Sequence, residues 1–351
     1  MLTVKLTNHQ YPIIIERGAL AAVGHWAASL WQPQRVAIIT DTNVAPLYEA
    51  TVASQLTQAG FTVATKVIPA GEASKSLDQA AELYDFLADE GFTRSDGIIA
   101  LGGGVIGDLA GYVASTYMRG IHFLQIPTTL LAQVDSSIGG KTGVNTKKAK
   151  NLVGSFSQPD GVLIDPNVLN TLAMRRVREG IAEIIKSAAI ADRNLWAFLA
   201  ALTDENELLE HAEKVITAAL KVKRKVVEED EFDNGSRLTL NFGHTIGHAI
   251  ENTAGYGVVS HGEGVAIGMV MITRHAEKIG QSPVGTTEAI IQMVEKFHLP
   301  TSSAPKNTQA LYDAITHDKK ARGKNLKIIL LKQIGAAQIV DIPIEEIKNY
   351  L

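Results

Sequence analysis

The sequence predicts an α/β chain in two parts: an N-terminal domain built on a parallel sheet, then a mainly α-helical C-terminal domain. Three observations carry this. Short β-branched runs alternate with helical stretches through the first half, the pattern of a parallel sheet covered on both faces. From about Arg175 to His298, long stretches of Ala, Ile, Leu, Glu and Lys replace the strand-like runs. The length of 351 residues suits two domains at roughly 100–200 residues each.

In chain order, Leu2–Leu6 and Tyr11–Ile15 read as a strand pair around Thr7–Gln10. Arg35–Thr40 is a strand that stops at Asp41, and Val44–Ala59 is a helix ended by Gly60. Thr62–Ile68 is the next strand. Ser76, with Gln79 three residues on, predicts a capping box that opens a helix over Leu77–Glu90, ended by Gly91. Gly97–Leu101 is a buried strand running into a glycine cluster; His122–Ile126 and Val162–Ile164 are further strands. Asp135–Asn145 reads as a loop. The boundary falls near Thr171–Arg175, giving domains over residues 1–173 and 174–351. Lys327–Leu331 and Ala337–Val340 form a late strand pair, and Gly280–Pro305 is a surface connection.

Composition narrows the functions. Lys plus Arg is 33 against 37 for Asp plus Glu, a net charge of −4, which excludes a broad basic face for nucleic acid. The absence of cysteine excludes disulfides, thiolate nucleophiles, Cys-based zinc sites and iron–sulfur clusters. Any metal must sit on His, Asp or Glu. No stretch approaches the roughly 18 apolar residues of a membrane span, and the first residues hold no signal-peptide core. The expectation is a cytoplasmic protein without membrane or nucleic-acid partners.

Gly102, Gly104 and Gly107 fit G-x-G-x-x-G after the strand Gly97–Leu101. Bare backbone at a helix start admits a pyrophosphate; the plainer reading is a tight turn that needs φ > 0. The usual acidic ribose partner roughly 20 residues on is missing, because Tyr117–Val134 holds no Asp or Glu. Two more polar strand ends, at Asp41-Thr42-Asn43 and Gly71–Lys75, stand where open α/β sheets bind ligands. Asp41 also fits a simple helix cap.

His244 and His248 lie four apart on one helix face, and His261 follows after a Gly-rich loop. Spacing alone nominates His244 and His248 as a metal-ligand pair. Glu183 and Lys186 interrupt an apolar helix one turn apart. Such charges are costly among apolar neighbours unless paired or metal-bound; the alternative is an ion pair on the outer face. Lys141 and Asn151 suit phosphate or carboxylate, whereas Lys147 and Lys148 read as a solvated face.

Taken together, GGGVIGD (Gly102–Asp108), PTTLLAQVDSSIGGKTGVN (Pro127–Asn145), AEIIK (Ala182–Lys186), LNFGHTIGHAIE (Leu240–Glu251) and HGEGVAIGM (His261–Met269) resemble the 3-dehydroquinate synthase family of sugar-phosphate cyclases. The resemblance runs from Asp41 to Lys320. It implies a Rossmann-like NAD-binding domain, a helical metal-binding domain and a cleft holding NAD⁺ with one Zn²⁺ or Co²⁺. It implies Glu183, His244 and His261 as metal ligands, with His248 moved to acid/base or substrate duty beside Lys141, Lys186, Asp233 and Asn241. NAD contacts are implied at Asp41, Asn43, Glu72, Lys75, Gly103, Gly104, Val105, Asp108, Thr128, Thr129, Lys141, Lys150 and Thr171. Substrate contacts are implied at Arg119, Asp135, Lys141, Asn151, Lys223, Arg237, Asn241, His248 and the Lys319-Lys320 pair.

The implied reaction turns 3-deoxy-D-arabino-heptulosonate 7-phosphate into 3-dehydroquinate and phosphate. Its steps are transient oxidation, phosphate elimination, reduction, ring opening and aldol closure. A homodimer is implied. The chain departs from the family at Asp233, where many relatives carry Glu, and at Arg176, where an acidic residue is frequent. The competing readings are a metal- and NAD-dependent polyol or glycerol-phosphate dehydrogenase, and a non-catalytic NAD- or metal-binding module. Lys141, Asn151, Arg237 and Asn241 oppose the dehydrogenase, because a simple polyol needs no anion clamp.

Overall fold

The computed structural model describes residues 1–255, 257–303, 307–319 and 325–351. The chain forms two compact units, Met1–Leu172 and Ala173–Leu351.

The first unit holds a seven-stranded sheet. Its strands in chain order are β1 (Leu2–Lys5), β2 (Gln10–Ile15), β3 (Arg35–Asp41), β4 (Thr62–Ile68), β5 (Gly97–Gly102), β6 (His122–Pro127) and, later in the chain, β9 (Gly161–Ile164). The spatial order is β1-β2-β9-β6-β5-β3-β4. Only β1 runs antiparallel, paired with β2 so that Leu2 faces Ile13; the other pairings are parallel. Strand alternation places successive side chains on opposite faces. Val36 and Ile38 therefore pack with helices α1 (Val23–Leu30) and α2 (Ala45–Gln58) on one side. Ala37 and Ile39 pack with α3 (Leu77–Asp89) and α4 (Gly104–Thr116) on the other. A near-continuous apolar run such as Arg35–Asp41 is what a doubly covered strand requires.

Three local expectations are corrected. Lys141–Val144 is a strand, β7, paired antiparallel with β8 (Val153–Phe156). Four-residue strands flanked by glycine lie below the length at which alternation is readable. The capping box at Ser76 is half made: Ser76 accepts from the Gln79 backbone N–H, but the Gln79 side chain donates to Glu82 instead. Gly280–Pro305 is not a bare connection, because Thr286–Lys296 is a helix that buries Ile290, Met293 and Val294 at i, i+3, i+4 spacing.

The second unit is helical. Its helices are α5 (Met174–Ala191), α6 (Arg193–Ala201), α7 (Glu205–Glu210), α8 (Ala212–Glu229), α9 (His244–Ala254), α10 (His261–Lys278), α11 (Thr286–Lys296) and α12 (Thr308–Lys319). The antiparallel pair β10 (Asn325–Gln333) and β11 (Ala336–Pro343) extends the expected strands at both ends. Among the described residues, no helix is long and apolar enough to cross a membrane.

Candidate active site

In the first unit, the site begins where β5 runs into α4. Gly103 precedes α4 and no side chain caps it, so the first N–H groups of that helix stay open to a ligand. The glycines here do not serve positive φ, as the turn reading supposed: Gly103 has φ −75. They serve close approach, since a Cβ at Gly103 would lie 2.9 Å from Thr129 Cγ2 and one at Gly104 3.0 Å from Ser136 Oγ. Thr129 in turn caps the chain after β6 by accepting from the Ala132 N–H. Asp135 follows in a π-helical turn, Ala132–Ser136, an irregularity frequent at functional sites.

A polar network gathers residues from four segments. Lys75 is buried and donates to both Asp108 and Asn151 Oδ1. Glu72 accepts from Asn145 Nδ2 at 2.7 Å. Asn145 also accepts from the Asn151 backbone N–H at 2.9 Å. The structure thus brings Glu72, Lys75, Asp108 and Asn151 together. Asp41 takes the plainer reading: its Oδ1 accepts from the N–H groups of Asn43 and Val44, at 2.8 and 3.1 Å, and turns the chain into α2. Thr171 Oγ1 donates to the Val168 carbonyl. Arg119 is not with the others. It follows the far end of α4, whose 13 residues at about 1.5 Å each span about 20 Å.

In the second unit, three helices converge. Glu183 and Lys186 lie within α5, buried at 1% and 2% exposure, and form an ion pair. The outer-face alternative is thereby ruled out. Burial alone would raise the Glu183 pKa, but Lys186 and His244 hold it well below the usual carboxylate range. His244 and His261 are the first residues of α9 and α10. Their Nε2 atoms lie 3.3 and 3.1 Å from Glu183 Oε1. The Nδ1–H of His244 donates to the Phe242 carbonyl, which leaves Nε2 as the basic nitrogen, as in many metal-ligating histidines. Donor atoms of Glu183, His244 and His261 all lie within 4.8 Å of one another.

The pair nominated by spacing, His244 with His248, is corrected, because His261 supplies the second imidazole of that donor set. Sequence spacing misses it since α9 and α10 meet only in space. Two nitrogens and one carboxylate oxygen suit a catalytic Zn²⁺ or a similar divalent ion.

His248 is exposed by area, yet ring contacts with His244 (5.3 Å) and His261 (5.6 Å) crowd it. The desolvation this crowding brings, with the neighbouring His244 and His261 rings, lowers its pKa to about 3, so it stands neutral near pH 7. Burial would also lower His261, but Glu183 and Glu251 overcome it and raise the group to about 10.

Arg237 is buried, and its Nη1 donates to the Glu231 carbonyl. Asp230, which sequence reasoning missed, shapes this loop by accepting from the N–H groups of Asn234, Gly235 and Arg237. Asp233 lies in the same loop with φ +60. Among the described residues five non-glycines have left-handed backbone, and three of them, Arg119, Asn151 and Asp233, are expected site residues. Such strain concentrates at functional sites. Lys223 is buried in α8, and Asn241 ends the short helical turn before His244. Arg176 pairs with Glu179 one turn on at 2.6 Å, which accounts for a base at that position. Lys319 is the last residue of α12; Lys320 lies outside the described residues.

The comparisons with known proteins fit this geometry. Residues 65–179 match the 3-dehydroquinate synthase N-terminal family and residues 180–321 its C-terminal family. The 3-dehydroquinate synthase of Enterococcus faecalis is 65% identical over 350 residues, covering 100% of this chain and 98% of the relative. That of Streptococcus suis is 60% identical over 351 residues, covering 100% and 99%. A solved 2-deoxy-scyllo-inosose synthase, complexed with carbaglucose-6-phosphate, NAD⁺ and Co²⁺, superposes with TM-score 0.90 at 26% identity, covering 99% of this chain and 98% of that one. A 2-epi-5-epi-valiolone synthase from Streptomyces hygroscopicus, with NAD⁺ and Zn²⁺ bound, gives 0.89 at 28%, covering 99% and 97%. The glycerol dehydrogenase of Schizosaccharomyces pombe, at 0.60 and 19% identity over 87% of this chain and 82% of that one, shares the fold alone.

Fold, donor set and these likenesses define an enzyme of the sugar-phosphate carbocyclase class. Within that class, the chain belongs to the 3-dehydroquinate synthase family.

Proposed function

We propose that the chain converts 3-deoxy-D-arabino-heptulosonate 7-phosphate to 3-dehydroquinate and phosphate, with NAD⁺ and one Zn²⁺ or Co²⁺, as a cytoplasmic homodimer. Residues 1–173 hold the nucleotide and residues 174–351 hold the metal. The observation that carries this reading is the buried donor set of Glu183, His244 and His261 beside Lys186. Curated relatives 57–65% identical from end to end support it.

The open N-terminus of α4 receives the pyrophosphate. Glu72 accepts from a ribose hydroxyl, while Lys75 and Asp108 set the polar floor. When bound, NAD⁺ supplies reversible hydride transfer at the C5 carbinol and the divalent ion lowers the pKa of that alcohol. His248 serves as the acid/base group at the substrate hydroxyl, the role the family resemblance implies. Lys141, Asn151, Lys223 and Arg237 hold the phosphate and carboxylate, and Asn241 orients the relay at the start of α9. Asp233 replaces the longer Glu and keeps a carboxylate for a proton-acceptor role. The Lys319-Lys320 pair contributes a substrate contact.

The test supplies the heptulosonate phosphate with NAD⁺ well below substrate and follows both phosphate and NADH absorbance. Phosphate far in excess of the NAD⁺ present, without NADH build-up, is expected. NADH accumulation with glycerol and no phosphate release would move the chain to the dehydrogenases. Light scattering of the purified protein tests the dimer.

A further inference from the structure

Asn145 ends the loop motif of the first unit and sits at the centre of its polar network. Its Nδ2 donates to Glu72 Oε1 at 2.7 Å and its Oδ1 accepts from the Asn151 N–H at 2.9 Å. Its own backbone N–H donates to the Lys75 carbonyl at 2.8 Å, next to an isolated parallel bridge between Ser76 and Asn145. The distant segment Glu72–Ser76 and the nearby Asn151 are thus tied to one residue. A carboxamide offers a donor and an acceptor at once. Aspartate has the same shape and keeps the acceptor for Asn151, but it presents a second negative oxygen to Glu72. The bond to Asn151 also holds that residue in its left-handed conformation, φ +53, from which Asn151 Oδ1 meets the Lys75 ammonium.

We propose that Asn145 is a positioning residue that orients Glu72 for the nucleotide and Asn151 for the sugar phosphate, so that one side chain serves both binding events. The proposal rests on the roles given above to Glu72 and Asn151. It concerns no reacting atom: Asn145 acts through its two neighbours. Because a hydrogen bond to a charged group is among the stronger ones, turning its donor into a like charge separates this role from plain structural support.

The test titrates NAD⁺ directly, by equilibrium binding to the intact metal-loaded enzyme without substrate. The proteins are wild type, Asn145→Asp, Glu72→Gln, Glu72→Ala and the Glu72→Gln/Asn145→Asp double variant. Asn145→Asp is expected to weaken NAD⁺ about tenfold or more. The double variant regains most of that loss, because its new carboxamide donates to its new carboxylate and the pair is restored with roles exchanged. In steady state, Asn145→Ala raises KM for the heptulosonate phosphate about fivefold or more while kcat at saturation changes less.

NAD⁺ affinity unchanged in Asn145→Asp, with Glu72→Ala impaired, would overturn the proposal and leave the nucleotide site standing. Unchanged affinity in both variants would instead overturn the nucleotide assignment itself. If Asn145→Asp does not fold, the double variant's NAD⁺ affinity and the KM of Asn145→Ala decide instead: near-wild-type affinity with a raised KM supports the proposal, and weakened affinity or an unchanged KM overturns it.

Discussion

A Cβ at Gly268 of α10 would fall 2.0 Å from the carbonyl oxygen of Gly243, the residue before α9. One turn along, a Cβ at Gly247 would fall 2.7 Å from the Gly264 carbonyl. These contacts set how closely α9 and α10 approach. His244 and His261 are the first residues of those two helices, so the same contacts set the distance between the imidazoles.

Gly268→Ala is therefore expected to push the helices apart. The obstacle is backbone, which cannot swing aside, so a destabilisation of about 3 kcal/mol is expected, together with loss of bound metal. Metal content after dialysis, with a denaturant melt, checks both. A variant with wild-type metal content would show that this approach does not set the donor geometry.

Glu183 and Lys186 form a pair with almost no solvent access. Removing one partner of a buried pair strands the other, at a cost of about 3–5 kcal/mol. Glu183→Gln should lose both metal and stability. Adding Lys186→Met should restore the melting temperature but not the metal. Recovery of metal binding in the double variant would remove Glu183 from the donor set.

Metal uptake should release protons. In the metal-free protein His261 is raised to about 10 and so carries a proton at neutral pH, whereas a ligating imidazole must be neutral. Uptake between pH 7 and pH 9 is expected to release about one proton per site, and affinity should fall as pH falls. Calorimetry in buffers of different ionisation enthalpy measures the number. Zero protons released would place His261 outside the ligand set.

Gly103→Ala puts a methyl 2.9 Å from Thr129 Cγ2, at the open start of α4. The Thr129 side chain has to shift into the space a pyrophosphate needs. NAD⁺ affinity should drop about tenfold or more, with little change in melting temperature. A wild-type dissociation constant would move the nucleotide elsewhere.

Asp230→Ala releases three backbone N–H groups that hold the loop before α9. Arg237 loses its anchor, and KM for the sugar phosphate should rise about tenfold while NAD⁺ affinity in the other unit stays unchanged. Unaltered KM would show that Arg237 does not depend on that loop.

Alternation of apolar runs and helical periods was enough to place the sheet strands, because each buries a face whose pattern is local. The same locality made His244 visible, and Glu183 and Lys186 stood out because charge inside an apolar helix is costly. The motifs were legible as a family resemblance, and that made His261, already visible in the histidine cluster, a metal ligand. Spacing preferred His248, since a helix face is the only neighbourhood a sequence displays. What tertiary structure decided is which helix starts meet. Glycine contacts between α9 and α10 bring His261, and not His248, onto Glu183. It also decided that Asn145 is a hub and Asp230 a loop anchor: their partners lie up to 73 residues away along the chain in one case and are backbone N–H groups in the other. Neither kind of partner leaves a periodic trace in the sequence, because hydrogen bonds to distant or main-chain atoms follow from the packed fold.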